Sequence, residues 1–403
     1  MLGLVLTAGG ARGAYQAGVL KRLGEVPSLR RGPSPFAVVT GASAGAINST
    51  MLAARSADFH EATAGLADVW CRLEMHQVVR TDLVSLVTTG LGMLHDLTLG
   101  SLLGRTVTHG LLDTAPLRVF LNRILPMAGI AHAIRAGHLH AVAITATSYH
   151  SGRSFTFVQG RPGHAIWQKA RRVVLPVELT ADHVCASAAI PLVFPPVRLA
   201  TTAGDLHFGD GALRLVTPFS PAIRLGATHV FAVGVRSSLA ADTLSREELA
   251  TRHDGSAGER TLARPPLSQI CGVFMNAIFL DHLDTDLDHL VRMNELIESH
   301  APADVGEPMR PIAPLVVSPS EDLALVAQDF ADRMPRLLRL ALEALGTPDA
   351  QSADLMSYLL FDSAFTGTLV DIGYRDADAR VDEIEEFLLA AAAATQARPA
   401  RRA

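Results

Sequence analysis

The sequence predicts an α/β fold built on a mostly parallel sheet, and three observations predict it. A short apolar run, Gly3-Leu4-Val5-Leu6-Thr7-Ala8, suits a strand covered on both faces. A glycine-rich turn, Gly9-Gly10-Ala11-Arg12-Gly13, follows it and opens a helical stretch from Ala14 to Leu23, with Ala17, Leu20 and Leu23 on one face. A second run, Phe36-Ala37-Val38-Val39-Thr40, then leads through Gly41-Ala42-Ser43-Ala44-Gly45 into small, helix-compatible residues. Strand, tight turn and helix, given twice, is the opening of a parallel α/β sheet.

The first glycine turn contains Ala8-x-Gly10-x-x-Gly13, a degenerate dinucleotide fingerprint. A nucleotide site needs an acidic residue at the end of the second strand for the ribose hydroxyls. Here that strand ends in Thr40-Gly41-Ala42-Ser43, which leaves a nucleotide-binding module as a distant alternative. A glycine turn at a helix start also presents free backbone N–H groups to a negative oxygen, and that reading fits better.

The second turn is Gly-x-Ser-x-Gly, with Ser43 at its centre. A serine on a sharp strand-to-helix bend needs small neighbours, here Gly41 and Gly45, so that strand and helix can close on each other. The helix start also aims free N–H groups and the positive dipole end at that serine.

Residues 51–137 read as mainly helical, with Asp113 or Thr114 capping a helix that has Pro116 in its first turn. The window Leu83 to Leu103 is apolar but interrupted by Gly90, Gly92, Asp96 and Gly100, which makes it a poor membrane span. It reads as a lid, a lipid-facing surface or an apolar helical pair. His140 to Thr147 and Ser154 to Val158 read as paired strands, and Thr180 caps a helix that the prolines after Ile190 stop. The segment Ile190-Pro191-Leu192-Val193-Phe194-Pro195-Pro196 suits an apolar wall, whether of an acyl pocket or a core edge.

Leu206-His207-Phe208 leads into Gly209-Asp210-Gly211-Ala212, an aspartate in a tight turn. Strands are expected at His229–Val235 and Pro314–Ser318, with a flexible, polar excursion at 236–266 between them. Leu267 to about Glu298 reads as one long amphipathic helix. His282, Asp286 and His289 share a face of it, but Asp281, Asp284 and Asp288 around them indicate a solvated acidic side, not a metal site. Helices are expected at 321–345, 352–373 and 376–394, then a disordered basic tail at 397–403.

Composition excludes several classes. The net charge is −5 over 403 residues, which argues against nucleic-acid binding. Cys71, Cys185 and Cys271 are odd in number and widely spaced, so they read as buried thiols in a reducing compartment. The chain runs directly into its first strand, which predicts no signal peptide and a cytoplasmic protein, with room for peripheral membrane contact. No calcium loop or metal spacing is present, so no cofactor and no metal are expected.

Together these motifs resemble the patatin-like phospholipase family. The resemblance rests on Gly9-Gly10-Ala11-Arg12-Gly13, Gly41-Ala42-Ser43-Ala44-Gly45, Ala186-Ser187-Ala188-Ala189-Ile190-Pro191 with Phe194-Pro195-Pro196, and Asp210-Gly211-Ala212, in that order. It implies a three-layer α/β/α sandwich over residues 1–320, with a C-terminal helical extension over 321–396. It further implies a Ser-Asp dyad, with Ser43 as nucleophile and Asp210 as general base. The loop Gly9, Gly10, Ala11, Arg12 and Gly13 would supply the oxyanion hole, mainly through the N–H groups of Gly10 to Gly13. The implied substrate is a phospholipid or other long-chain acyl ester. A short-chain esterase or thioesterase, or an idle scaffold on the same fold, are the alternatives. His183, His207 and His229 are competing candidates for the base.

Overall fold

In β1 (Leu2–Leu6) every residue is buried, as a strand covered by two layers requires. Its side chains alternate: Leu4 and Leu6 enter the larger apolar cluster, and Val5 enters a smaller one on the other face. The computed structural model describes residues 1–80, 110–237 (except 170 and 202–203), 282–299, 310–339 (except 337) and 353–396, together with 270, 273–274 and 276–278. The apolar window Leu83–Leu103, most of the excursion at 236–266, Cys271 and the tail at 397–403 lie outside the described residues.

After β1, a single 3₁₀ turn (Gly10–Arg12) enters α1 (Gly13–Gly24). Then come β2 (Val38–Ala42), α2 (Ala44–Ala54), α3 (Phe59–Cys71), the short α4 (Met75–Val78), α5 (Ala115–Ile124) and α6 (Ala128–Ala136). The α3 start is fixed by Asp58, whose side chain accepts the Glu61 N–H. Next are β3 (Ala141–Ser148), β4 (Ser154–Gly160), β5 (Gln168–Lys169), β6 (Arg172–Pro176), α7 (Ala181–Ser187), β7 (Val197–Thr201) and β8 (Gly204–Asp210). Thr180 caps α7 in a capping box with His183, as the sequence predicts. The chain continues through α8 (Ser220–Arg224), β9 (His229–Val233), α9 (His282–Ser299), β10 (Ala313–Val317) and α10 (Leu323–Gln328). It closes with α11 (Ala353–Leu359), α12 (Ser363–Ala379) and α13 (Val381–Gln396).

The ten-stranded sheet runs β10-β9-β1-β2-β3-β4-β6-β5, with β8 pairing the end of β3 and β7 pairing β8. The block β10-β9-β1-β2-β3 is parallel throughout, and the antiparallel pairs begin at β3–β4. Later strands add to the far side of β1, so the order reverses there. The crevice outside the carboxyl ends of strands at such a switch point is where open α/β sheets bind ligands. The fold is α/β, with helices on both faces of a mixed, mostly parallel sheet and further helices at the C-terminus.

Several expectations are corrected, among them the helix over 321–345, which is instead α10 ending at Gln328 and then a 3₁₀ turn at Ala331–Arg333. A single helix over 352–373 is split, because the Asp362 side chain accepts the N–H groups of Ala364 and Phe365 and starts α12 afresh. Cys71 is exposed at the end of α3, whereas Cys185 is buried as expected. The C-terminal helices are bound tightly to the front of the chain. A Cβ at Gly18 would overlap the Val370 carbonyl, and one at Gly373 would overlap the Tyr15 carbonyl, so α1 and α12 touch backbone to backbone. Among the described residues no helix is long and apolar enough to cross a membrane.

Candidate active site

Ser43 sits between β2 and α2 with φ 55° and ψ −126°, a region that residues other than glycine rarely enter. Such a backbone costs on the order of 1–3 kcal/mol and persists only where the surroundings impose it. The surroundings do impose it. A Cβ at Gly41 would overlap the Gly45 carbonyl, and one at Gly45 would overlap the Leu6 carbonyl, so only hydrogen fits at either position. The Ser43 N–H donates to Ser187 Oγ (3.1 Å), and the Ser187 hydroxyl donates to the Thr145 carbonyl (2.6 Å). That tie anchors the bend to β3. The N-terminus of α2 starts at the next residue, adding its positive end to the site.

Asp210 ends β8 and is fully buried. Its N–H donates to the Ala189 carbonyl (2.8 Å), its carbonyl accepts from Thr147 Oγ1 (2.8 Å), and its Oδ1 accepts from the Ala212 N–H (2.9 Å). Gly211 lies so close to β3 that a Cβ would overlap the Thr145 carbonyl. Burial pushes the carboxyl up to about 7; the Ser43 hydroxyl and the Ala212 N–H, which both favour the charged form, only partly offset it. Ser43 is therefore the carboxylate's neighbour. Among the described residues Asp210 Oδ2 is buried and has no hydrogen-bond partner.

The glycine turn after β1 lies at the same end of the sheet. Gly9 is extended and Gly10 has φ 56°. The Arg12 N–H already donates to the Gly9 carbonyl (3.1 Å), and the Gly13 N–H donates to the Ala11 and Gly10 carbonyls. Of the four expected donors, the turn itself thus occupies two, and Gly10 and Ala11 remain. The α1 side of the turn is held by Asn48, which donates to the Gly13 carbonyl (3.0 Å) and to Gln16 Oε1 (2.9 Å) and accepts from Trp70 Nε1 (2.8 Å).

A narrow cavity opens beside Ser43 and Gly10. Its walls are apolar: Ile47 from α2, Leu117, Phe120 and Leu121 from α5, and Ile190 and Phe194 from the proline-rich segment. Its enclosed space is only about 40 Å³, enough for a few waters and small beside a ligand pocket of about 300 Å³ or more. Residues of the helical insertion, on α5, therefore build one wall of this cavity.

The competing histidines are engaged elsewhere. His183 Nδ1 pairs with Thr180 Oγ1 (2.8 Å), and His207 Nδ1 pairs with His150 Nε2 (3.2 Å). His229 starts β9, at the end of the parallel block opposite Ser43. Asp286 departs from expectation: it is buried instead of solvated, and its Oδ2 accepts the Phe219 N–H (2.9 Å).

A family model described as patatin-like phospholipase matches residues 4–223, more than half the chain. The chain belongs to the patatin-like phospholipase family. Membership implies a lipid acyl hydrolase. No curated protein matches the chain as a relative. Among solved structures, it is similar to VipD from Legionella pneumophila at 14% identity and a TM-score of 0.28, covering 92% of this chain and 66% of that one. It is similar to the type III effector ExoU at 17% identity and a TM-score of 0.26, covering 61% of this chain and 44% of that one. The ExoU–SpcU complex of Pseudomonas aeruginosa matches at 14% identity and a TM-score of 0.23, covering 89% and 74%. The chain thus spans less than two thirds of the length of the first two structures.

In this member of the family, the structure brings Ser43, Asp210, Gly10 and Ala11 to one end of the sheet. Sequence reasoning gave no role to Ser187, Thr147, Asn48 or Trp70. Ser187 lies in a motif that the family resemblance singles out, which is a signal of place but not of task.

Proposed function

We propose that the protein is a serine acyl hydrolase that cleaves ester bonds of phospholipids or other long-chain acyl lipids through an acyl-enzyme on Ser43. The observation that carries this reading is a strained, buried serine beside an uncompensated carboxylate, at the polar end of an apolar cavity. Ser43 Oγ attacks the ester carbonyl carbon as Asp210 accepts its proton. The N–H groups of Gly10 and Ala11 face the tetrahedral oxyanion, helped by the N-terminus of α2. The intermediate collapses, the leaving alcohol takes the proton from Asp210, and the acyl group stays on Ser43. Water then attacks that ester carbonyl as Asp210 again takes the proton, and the second intermediate expels Ser43 Oγ, which takes the proton back from Asp210 as the fatty acid departs. An aspartate at an ordinary pKa is too weak a base for this, whereas one near 7 is half ionised at neutral pH.

Leu192 supports a lipid surface as the source of substrate. It is 69% exposed with φ 66°, and it stands between Ile190 and Phe194, which line the cavity. The small enclosed volume supports a second reading, a short-chain esterase or thioesterase. Hydrolysis of phosphatidylcholine vesicles and of nitrophenyl esters of graded chain length tests both. A kcat/KM rising with acyl length supports the lipid reading, and a preference for two- to four-carbon acyl groups replaces it with the second. If wild type resists a fluorophosphonate probe as fully as Ser43→Ala does, the acyl-transfer reading fails.

A further inference from the structure

Helix α11 lies outside the span that the family model matches, yet it grips the turn after β1 from behind. Arg12 is only 2% exposed, and it takes no part in the wall of the cavity that Gly10 lines. Its Nη2 donates to Asp354 Oδ1 (2.7 Å), its Nε donates to Ser357 Oγ (2.8 Å), and its guanidinium lies 4.5 Å from the centre of the Tyr358 ring. Gly10, two residues earlier, rests against the Tyr358 carbonyl so closely that a Cβ there would overlap it.

The gripping residues are themselves fixed. Asp354 Oδ2 accepts from Asn276 Nδ2 (2.7 Å), the Tyr358 hydroxyl donates to Asn276 Oδ1 (3.1 Å), and the Ser357 hydroxyl donates to the Asp354 carbonyl (2.6 Å). The guanidinium is thus paired, stacked and buried, which makes it an anchor and not a cation offered to substrate. The turn needs one. It spans three residues, and Gly10 at φ 56° has no side chain to hold it in place.

We propose that α11 is a working part of the oxyanion loop, with Arg12 a positioning residue whose ties to Asp354, Ser357 and Tyr358 set where the Gly10 and Ala11 N–H groups point. The inference rests on the acyl-transfer reading above. Main-chain donors act only within a narrow range of distances, and a displacement of about 1 Å at a reacting centre costs on the order of 100-fold in rate. Helix α11, none of whose residues lines the cavity, therefore sets the turnover rate through the turn it holds.

The test uses the full chain and compares a nitrophenyl ester with its thiono analogue, whose developing charge falls on sulfur and is held poorly by N–H donors. Wild type should prefer the oxo ester strongly. Asp354→Asn, Arg12→Lys and the milder Ser357→Ala should each lower kcat on the oxo ester, by about ten- to a hundredfold for the first two, with KM within about twofold. The oxo-to-thiono ratio should fall with kcat, a change that a merely loosened fold does not produce. Asp378→Asn is the control: it breaks the Arg22–Asp378 ion pair, which also joins α1 to the C-terminal helices but lies away from the turn, and it should leave kcat and the ratio unchanged. Should Asp354→Asn fail to fold, Ser357→Ala decides alone, since it removes one hydroxyl and no charge. An active wild type whose three variants keep its ratio overturns the inference while leaving the acyl-transfer reading intact. A wild type that turns over no ester removes both.

Discussion

Two buried carboxylates, on opposite faces of the sheet, show how differently the protein treats the same group. Asp286, on α9, faces an open groove with Arg172 and His289 nearby, and its Oδ2 caps the Phe219 N–H at the start of α8. Burial raises its pKa, and the Phe219 N–H and the positive neighbours pull it back. Among the described residues, Asp210 receives the Ala212 N–H and the nearness of the Ser43 hydroxyl, and no described cation favours its charge. One carboxylate is held as a structural acceptor. The other is buried with less to favour its charge, which is what a general base near neutral pH would require.

Activity should break this comparison most sharply. Ser43→Ala or Asp210→Asn should each lower ester hydrolysis by about 10⁴-fold, whereas Asp286→Asn should leave kcat within about threefold. The wild-type pH profile of kcat/KM should rise through about 7, where Asp210 ionises, and stay level above it. A profile that is flat from pH 5 to 9 would remove Asp210 as the base.

Stability should separate the two next. Because the folded-state pKa of Asp210 lies above its ordinary 3.8, the native state holds that proton more tightly than the unfolded chain does. Its contribution is fully present below about pH 4 and is lost as pH rises through about 7. At about 1.4 kcal/mol per tenfold shift, ionised Asp210 costs roughly 4 kcal/mol. Asp210→Asn should therefore be more stable than wild type at pH 8 by up to that amount, with the gap closing by pH 4. Denaturant melts of both proteins at the two pH values measure it, and a variant less stable at pH 8 would contradict the poised-base reading. Asp286→Ala should act in the opposite sense, destabilising by about 1–3 kcal/mol because the Phe219 N–H loses its acceptor.

The smallest expected effect sharpens the picture around Ser43. Ser187→Ala removes the acceptor of the Ser43 N–H, and should lower stability by about 1 kcal/mol and kcat by about tenfold. An unchanged kcat would mean that Gly41 and Gly45 alone hold the bend.

Much of this was legible from neighbouring letters. Gly41, Ser43 and Gly45 announce a close strand-to-helix bend, because only hydrogen fits where Gly45 meets the Leu6 carbonyl. The turn Asp210-Gly211-Ala212 was visible for the same reason: its capping bond joins residues two apart. The Asp286 surroundings were misread because a helix face alone does not reveal which side another element will cover.

The sequence by itself determined the local chemistry: apolar runs that must be covered, glycines that must bend, and a serine and an aspartate placed on those bends. Tertiary structure alone decided the rest. Ser43 meets Ser187, Asp210 meets Thr147, and Arg12 meets Asp354 only through contacts between residues far apart in the chain. Such contacts depend on strand order and helix packing, whose energies are summed over the whole core and written in no single stretch of it. The high pKa of Asp210 belongs to this second kind. It comes from burial that the entire fold supplies, and not from its neighbours in sequence.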